Sequence, residues 1–133
     1  MALTADRNTP YKGTGLVSVP VAAGARIFAG ALVVANANGY AAPGTTSTTV
    51  TYLGRAEQGV DNTSGGNGAV SVNVRRAHAF RWKNSAADAV TQAELGKVVY
   101  IVDDETVAKT NGGNTRSAAG KVVEIDDAGV WVE

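Results

Sequence analysis

The sequence predicts a small all-β protein, a single-domain sandwich or barrel-like fold with an extended N-terminal arm and at most one short helix. Three observations predict it. Valine dominates the apolar residues, 19 of them against five leucines and three isoleucines, and β-branching suits a pleated strand better than a helix. Sixteen glycines, with clusters of Thr, Asn and Ser, cut the chain into short runs separated by turn chemistry. Within several runs the apolar residues alternate with a period of two, the signature of a half-buried strand.

Residues 1–15 are polar, with Pro10, Gly13 and Gly15, and carry neither period. They predict an extended arm that cannot bury itself in its own domain, leaving residues 16–133 as one β domain. Val17, Val19 and Val21 alternate with Ser18 and Pro20. Pro20 cannot donate to a ladder, so this strand belongs at an edge. Ile27-Phe28 and Leu32-Val33-Val34 follow, and Asn38-Gly39 predicts a type I′ hairpin joining the strand near Asn36 to Tyr40–Ala42. Pro43 to Thr49 and Asp61 to Gly68 predict flexible surface loops. Between them Val50 to Glu57 predicts a strand with a bulge at Gly54.

Ala69 to Lys83 is the longest regular stretch. As one strand it would span about 50 Å at ~3.3 Å per residue, too long for this domain. Its even positions also run Val70, Val72, Val74, Arg76, His78, Phe80, Trp82, which would set charge on an apolar face. A bend near Arg75-Arg76, with that face meeting another subunit, resolves both problems. Thr91-Gln92-Ala93-Glu94 has capping-box form and Gly96 stops it, so one helical turn is expected at most. Val98–Val102 and Thr106–Thr110 read as strands around Asp103-Asp104-Glu105. Lys121–Ile125 and Val130–Glu133 read as a closing hairpin around Asp126 and Gly129, with Trp131 opposite Val130 and Val132.

Composition limits the functions open to such a domain. Twelve basic residues balance twelve acidic ones, which disfavours nucleic acid as the main partner and favours self-association over colloidal repulsion. The chain has no cysteine, so no disulfide or thiolate metal site is expected. Met1-Ala-Leu-Thr-Ala-Asp-Arg lacks a signal peptide's basic start and apolar core, and no apolar run nears the ~20 residues of a membrane helix. The expectation is a soluble protein that contacts no membrane.

Catalytic patterns are missing. His78 is the only histidine, so paired-histidine metal sites are excluded, and it has no nucleophile at a motif spacing. Asp103-Asp104-Glu105 and Asp126-Asp127 are the acidic clusters, and turn chemistry accounts for both. No catalytic, cofactor-binding or metal-ligating residue is assigned, and no enzyme activity is expected. Arg75, Arg76, Arg81 and Lys83 form the one basic concentration. It reads either as a contact surface for acidic groups on a protein partner or neighbouring subunit, or as a solvated strand face.

The stretches Ala2-Leu-Thr-Ala-Asp-Arg-Asn-Thr-Pro, Val19-Pro-Val-Ala-Ala-Gly and Ile27-Phe-Ala-Gly-Ala-Leu-Val carry a resemblance. So do Gly54-Arg-Ala-Glu, Gly59-Val-Asp-Asn, Val74-Arg-Arg, Phe80-Arg-Trp-Lys-Asn-Ser, Tyr100-Ile-Val-Asp-Asp-Glu-Thr-Val-Ala and Gly129-Val-Trp-Val-Glu. In order and coverage the chain resembles the small capsid cement, decoration or head-stabilising proteins of Mu-like and related tailed phages and prophages. The resemblance implies a structural protein made in the host cytoplasm and carried on the outer surface of the virion head. It implies a homotrimer bound to the major capsid protein at three-fold or quasi-three-fold positions. The arm residues expected at the capsid are Leu3, Asp6, Arg7, Pro10 and Tyr11. Those expected at the trimer interface are Arg75, Arg76, His78 and Trp82. Two other readings are a tail, baseplate or head-fibre component, and a small polysaccharide hydrolase with a carboxylate pair assembled only in the fold.

Overall fold

A computed structural model describes residues 2–133, and these form twelve strands and a single 3-10 turn. The first seven strands are β1 (Leu16–Pro20), β2 (Arg26–Ile27), β3 (Leu32–Ala35), β4 (Ala41–Pro43), β5 (Thr51–Ala56), β6 (Val60–Asp61) and β7 (Ser71–Arg75). The other five are β8 (Phe80–Asn84), β9 (Val98–Ile101), β10 (Thr106–Ala108), β11 (Ala118–Asp126) and β12 (Gly129–Val132). The protein is all-β, as its valine content and alternation imply.

Two curled sheets divide the work. The first has the order β1-β7-β5-β3-β4 with antiparallel neighbours throughout. Its two edges meet just past β1, where Val21 bridges Ala41 and the Ala22 N–H donates to the Ala41 carbonyl at 2.9 Å. Val21, Val33, Ala41, Val72 and Val74 fill the inside, with Ile27 supplied by the β2–β6 ribbon. The second sheet is a closed barrel, β10-β8-β12-β11-β9, antiparallel except where β10 runs parallel to β8. Phe80, Trp82, Val99, Ile101, Val107, Val130 and Val132 make its core.

Strand β3 lies between the two cores. Leu32 and Val34 pack with the barrel residues, while Val33 packs with the first core. All three are fully buried, each worth roughly 2 kcal/mol of apolar burial. This is why the run reads as continuous apolar sequence rather than alternating: neither face of β3 meets water.

The stretch from Ala69 to Lys83 does break, and the break carries the chain from one core to the other. Val72 and Val74 on β7 face the first core; Phe80 and Trp82 on β8 face the barrel. Between them Arg76, Ala77 and His78 are exposed, and Ala77 turns the chain with φ +59°. Gly54 is a bulge as expected: the register slips between Val33 and Val34, and a Cβ there would sit 2.2 Å from the Arg75 carbonyl oxygen. Pro20 lies on edge strand β1.

Three expectations need correction. The β3–β4 hairpin exists, but its turn is not type I′, because Gly39 has positive φ and Asn38 does not. The Gly39 N–H instead donates to the Asn36 carbonyl, and the Asn36 side chain accepts from the Asn38 and Tyr40 N–H groups at 3.0 Å each. A three-residue loop with glycine in the left-handed region results. Second, the polar loops are fastened rather than loose. Asn62 is 2% exposed, and its amide donates to the carbonyls of Val21, Ala22 and Gly66. Thr46 donates to the Val102 carbonyl, and Ser117 to that of Ser47. Third, β11 begins at Ala118, where pairing with β9 starts before pairing with β12.

The helical turn spans Gln92–Glu94, and the Glu94 carboxylate accepts from both the N–H and the hydroxyl of Thr91 at 2.8 Å. Asp126 and Gly129 close the terminal hairpin, with Trp131 half-buried opposite the buried Val130 and Val132. Residues 2–14 belong to no strand and are all exposed. Met1, the first residue of the expected arm, lies outside the described residues. No helix among the described residues is long and apolar enough to cross a membrane.

Candidate functional site

The bend that moves the chain between cores also builds a cleft. β5 and β7 pair with Arg55 directly opposite Arg75, an arrangement that like charges alone would disfavour. Glu57 resolves it. It lies one residue past the end of β5, where its N–H still donates to the Asn73 carbonyl of β7, and its carboxylate accepts from Arg55 Nη2 and from Arg75 Nη2, the latter at 3.1 Å. The Arg75 and Arg55 hydrogen bonds hold the Glu57 carboxyl down at about 2. It is ionised at any ordinary pH.

On the barrel side, β8 and β12 pair Arg81 with Trp131. The Arg81 guanidinium lies 5.6 Å from the Trp131 ring centre, and that of Arg55 lies 5.2 Å from the Phe80 ring. Trp131 Nε1 donates to Asp126 at 3.0 Å, which is the first cause of that carboxyl's lowered pKa. Arg55, Arg75, His78, Arg81, Trp82 and Trp131 line most of a cleft of about 470 Å³ along the seam between the two sheets. His78 donates Nδ1–H to the Arg76 carbonyl at 2.7 Å, so its Nε2 carries no proton in the neutral ring.

No family model, curated protein or solved structure matches the chain. The site is therefore read from its own geometry. Of the residues expected at a subunit contact, Arg75, Arg76 and His78 do come together at the bend, with Arg76 and His78 exposed. Trp82 borders the same cleft from inside the barrel. It is 5% exposed, enclosed by its own core, and its Nε1 donates to the Tyr52 hydroxyl at 3.2 Å. Burial pushes the Tyr52 phenol up to about 12. The even-position count puts Trp82 in register with His78, and both border the cleft, but His78 is exposed while Trp82 is covered by the barrel core.

The basic concentration is partly self-neutralised. Arg75 pairs with Glu57, Arg81 approaches Asp126 at 3.8 Å, and Lys83 pairs with Glu105. Arg76 makes no ion pair among the described residues; its Nε donates to the Leu53 carbonyl at 3.1 Å. Arg55, Glu57 and Trp131 were not singled out in the sequence. The Arg-x-Glu spacing of residues 55–57 was the available signal, since a strand sets both on one face.

Leu3, Asp6, Arg7, Pro10 and Tyr11 all lie on the exposed arm, with Leu3 at 74% and Tyr11 at 98%. The arm's root is fixed beside the bend, because the Arg76 N–H donates to the Gly15 carbonyl at 2.9 Å. Among the described residues no group of three or more His, Asp or Glu side chains is placed to hold a metal ion. Asp103 accepts from the Glu105 N–H, and Asp126 from the Ala128 and Gly129 N–H groups. Both acidic clusters thus do local turn chemistry.

Proposed function

We propose that this chain is a structural virion protein that trimerises and clamps the outside of a tailed-phage head, with the major capsid protein as its partner. The phage assignment comes from the sequence resemblance. The observation that supports a clamp is the arm: residues 2–14 are exposed, and its two large apolar side chains, Leu3 and Tyr11, face solvent. The hydrogen bonds found within it join only Thr9 and Arg7. Its backbone is free to add to a sheet edge on another protein, where main-chain hydrogen bonds and alternate side-chain pockets supply affinity and specificity. Trimerisation multiplies three weak contacts through effective concentration, and binding only the mature shell stabilises it by mass action.

Co-sedimentation with empty mature shells tests this reading. The full chain is expected to pellet with the shells, and a chain lacking residues 1–14 to stay in the supernatant while remaining folded. Equal binding by the shortened chain would sink the arm mechanism. Failure of the full chain to bind shells would sink the decoration reading itself.

A further inference from the structure

The cleft and the turn between β9 and β10 carry opposite charge excesses. Around the cleft, the guanidiniums of Arg55, Arg75, Arg76 and Arg81 face only two carboxylates, Glu57 and Asp126. At the turn, Asp103, Asp104 and Glu105 face one ammonium, Lys83. Asp103 and Asp104 make no ion pair among the described residues, and burial together with the neighbouring Asp103 and Glu105 raises the Asp104 carboxyl. Two positive charges are left at one place and two negative at another, in a chain whose net charge is zero. The two places adjoin, since Gly30 borders both the cleft and the hollow beside Asp104 and Glu105.

The chemistry of the cleft selects among ligands. Sugar rings and nucleobases need open aromatic faces to stack on. Here Phe80 and Trp82 are 8% and 5% exposed, and Arg81 lies over Trp131. The cleft offers N–H donors instead. Each guanidinium has five; Arg55, Arg75 and Arg81 each meet a single carboxylate and Arg76 none among the described residues, and stacking on Phe80 and Trp131 orients Arg55 and Arg81. Planar forks held in this way suit carboxylates.

We propose that the acidic turn Asp103–Glu105 of a second copy of this chain docks in the cleft, its carboxylates engaging Arg76 and Arg81. The proposal rests on the reading that the chain self-associates, and it names the contact. The surfaces that meet are different, so the contact is head-to-tail, and three such contacts close a ring in which each copy gives its turn to one neighbour and its cleft to the other.

Sedimentation velocity of the full chain over a range of concentrations, at low and high salt, tests it. The assembly is expected to loosen in salt, because the contact is partly exposed and therefore screened. Arg81→Glu and, separately, Asp103→Arg are each expected to weaken association about tenfold or more, as misplaced like charges do across an interface. The two changes together in one chain are expected to recover most of the loss. Arg76→Glu serves as an independent reversal, and unfolding midpoints check that each variant folds. A chain that stays monomeric at every concentration would overturn self-association altogether. An oligomer indifferent to salt and to every reversal, or a double variant as weak as the singles, would overturn this contact and leave the oligomer standing.

Discussion

The N-terminal arm and the loop from Asp61 to Gly68 are alike in composition and opposite in structure. Both are polar, both contain glycine, and neither has an apolar face to bury. The loop is nevertheless part of the first sheet's wall. The Asn62 backbone N–H donates to Ala25, its carbonyl accepts from Gly24 and Gly65, and its side chain reaches three further carbonyls. Asn67 adds a further tie by accepting from the Ala23 N–H at 2.8 Å. The arm finds no such partners. Polarity therefore does not decide whether a segment joins the domain. What decides is whether a side chain of the right reach meets backbone groups that the strand ends have left over.

The sharpest way to break this comparison is to remove the fastening. Asn62→Ala is expected to destabilise the protein by about 2–3 kcal/mol, measured by urea unfolding. The figure stays moderate because each of the three carbonyls keeps one other donor, from Gly68, Ala25 and Ala69 respectively. A loss below about 0.5 kcal/mol would mean that the amide does not hold the loop, and that loop and arm are the same kind of segment.

Gly65→Ala reaches the same fastening from the other side. Gly65 does not have a positive φ, so the backbone tolerates alanine there. The new Cβ would instead lie 2.1 Å from Asn62 Oδ1 and 3.0 Å from the Ala69 Cβ. A cost of about 1–2 kcal/mol is expected from this overpacking. In the Asn62→Ala background it should shrink, since the obstructing oxygen is gone. Full additivity in a double-mutant cycle would show that Gly65 acts independently of Asn62.

The same physics separates what could be read in the sequence from what could not. Alternation and turn residues made the all-β class, the edge position of Pro20, the Gly54 bulge and the bend after Arg75 legible, because each is a local consequence of side-chain type. The Asn62 fastening was not legible, because two of the three carbonyls it meets belong to residues about 40 positions away. The burial of Trp82 was hidden for a related reason. Trp82 keeps its parity with His78 and borders the same cleft, but it is covered by strands that join β8 from later in the chain. Of the cleft residues, Arg75 and Arg81 were visible as part of a basic run, with Arg76 next to them in the bend. Arg55 and Glu57 enter only through the pairing of β5 with β7, and Trp131 through that of β12 with β8.

The bend from Arg76 to His78 stands between loop and arm: exposed like the arm, yet set in shape like the loop. Alanine in the left-handed region costs about 1 kcal/mol relative to glycine. Ala77→Gly is therefore expected to stabilise the protein by about 0.5 kcal/mol, the glycine's greater freedom in the unfolded chain offsetting part of the relief. Thermal unfolding measures it. A destabilisation would mean that the Ala77 methyl contributes contacts outweighing its strain.

The smallest effect belongs to the arm. Removing residues 1–14 takes away side chains that are exposed throughout residues 2–14, and should change stability by less than about 0.5 kcal/mol. The cut must stop short of Gly15, whose carbonyl accepts the Arg76 N–H and so anchors β1 to the bend. A second truncation that also removes Gly15 and Leu16 strips that acceptor and the Leu16–Arg75 rung, and should cost about 1 kcal/mol more. If the shorter cut already destabilised as much as Asn62→Ala does, the arm would be packed on its own domain in solution and would have no free backbone to offer a partner.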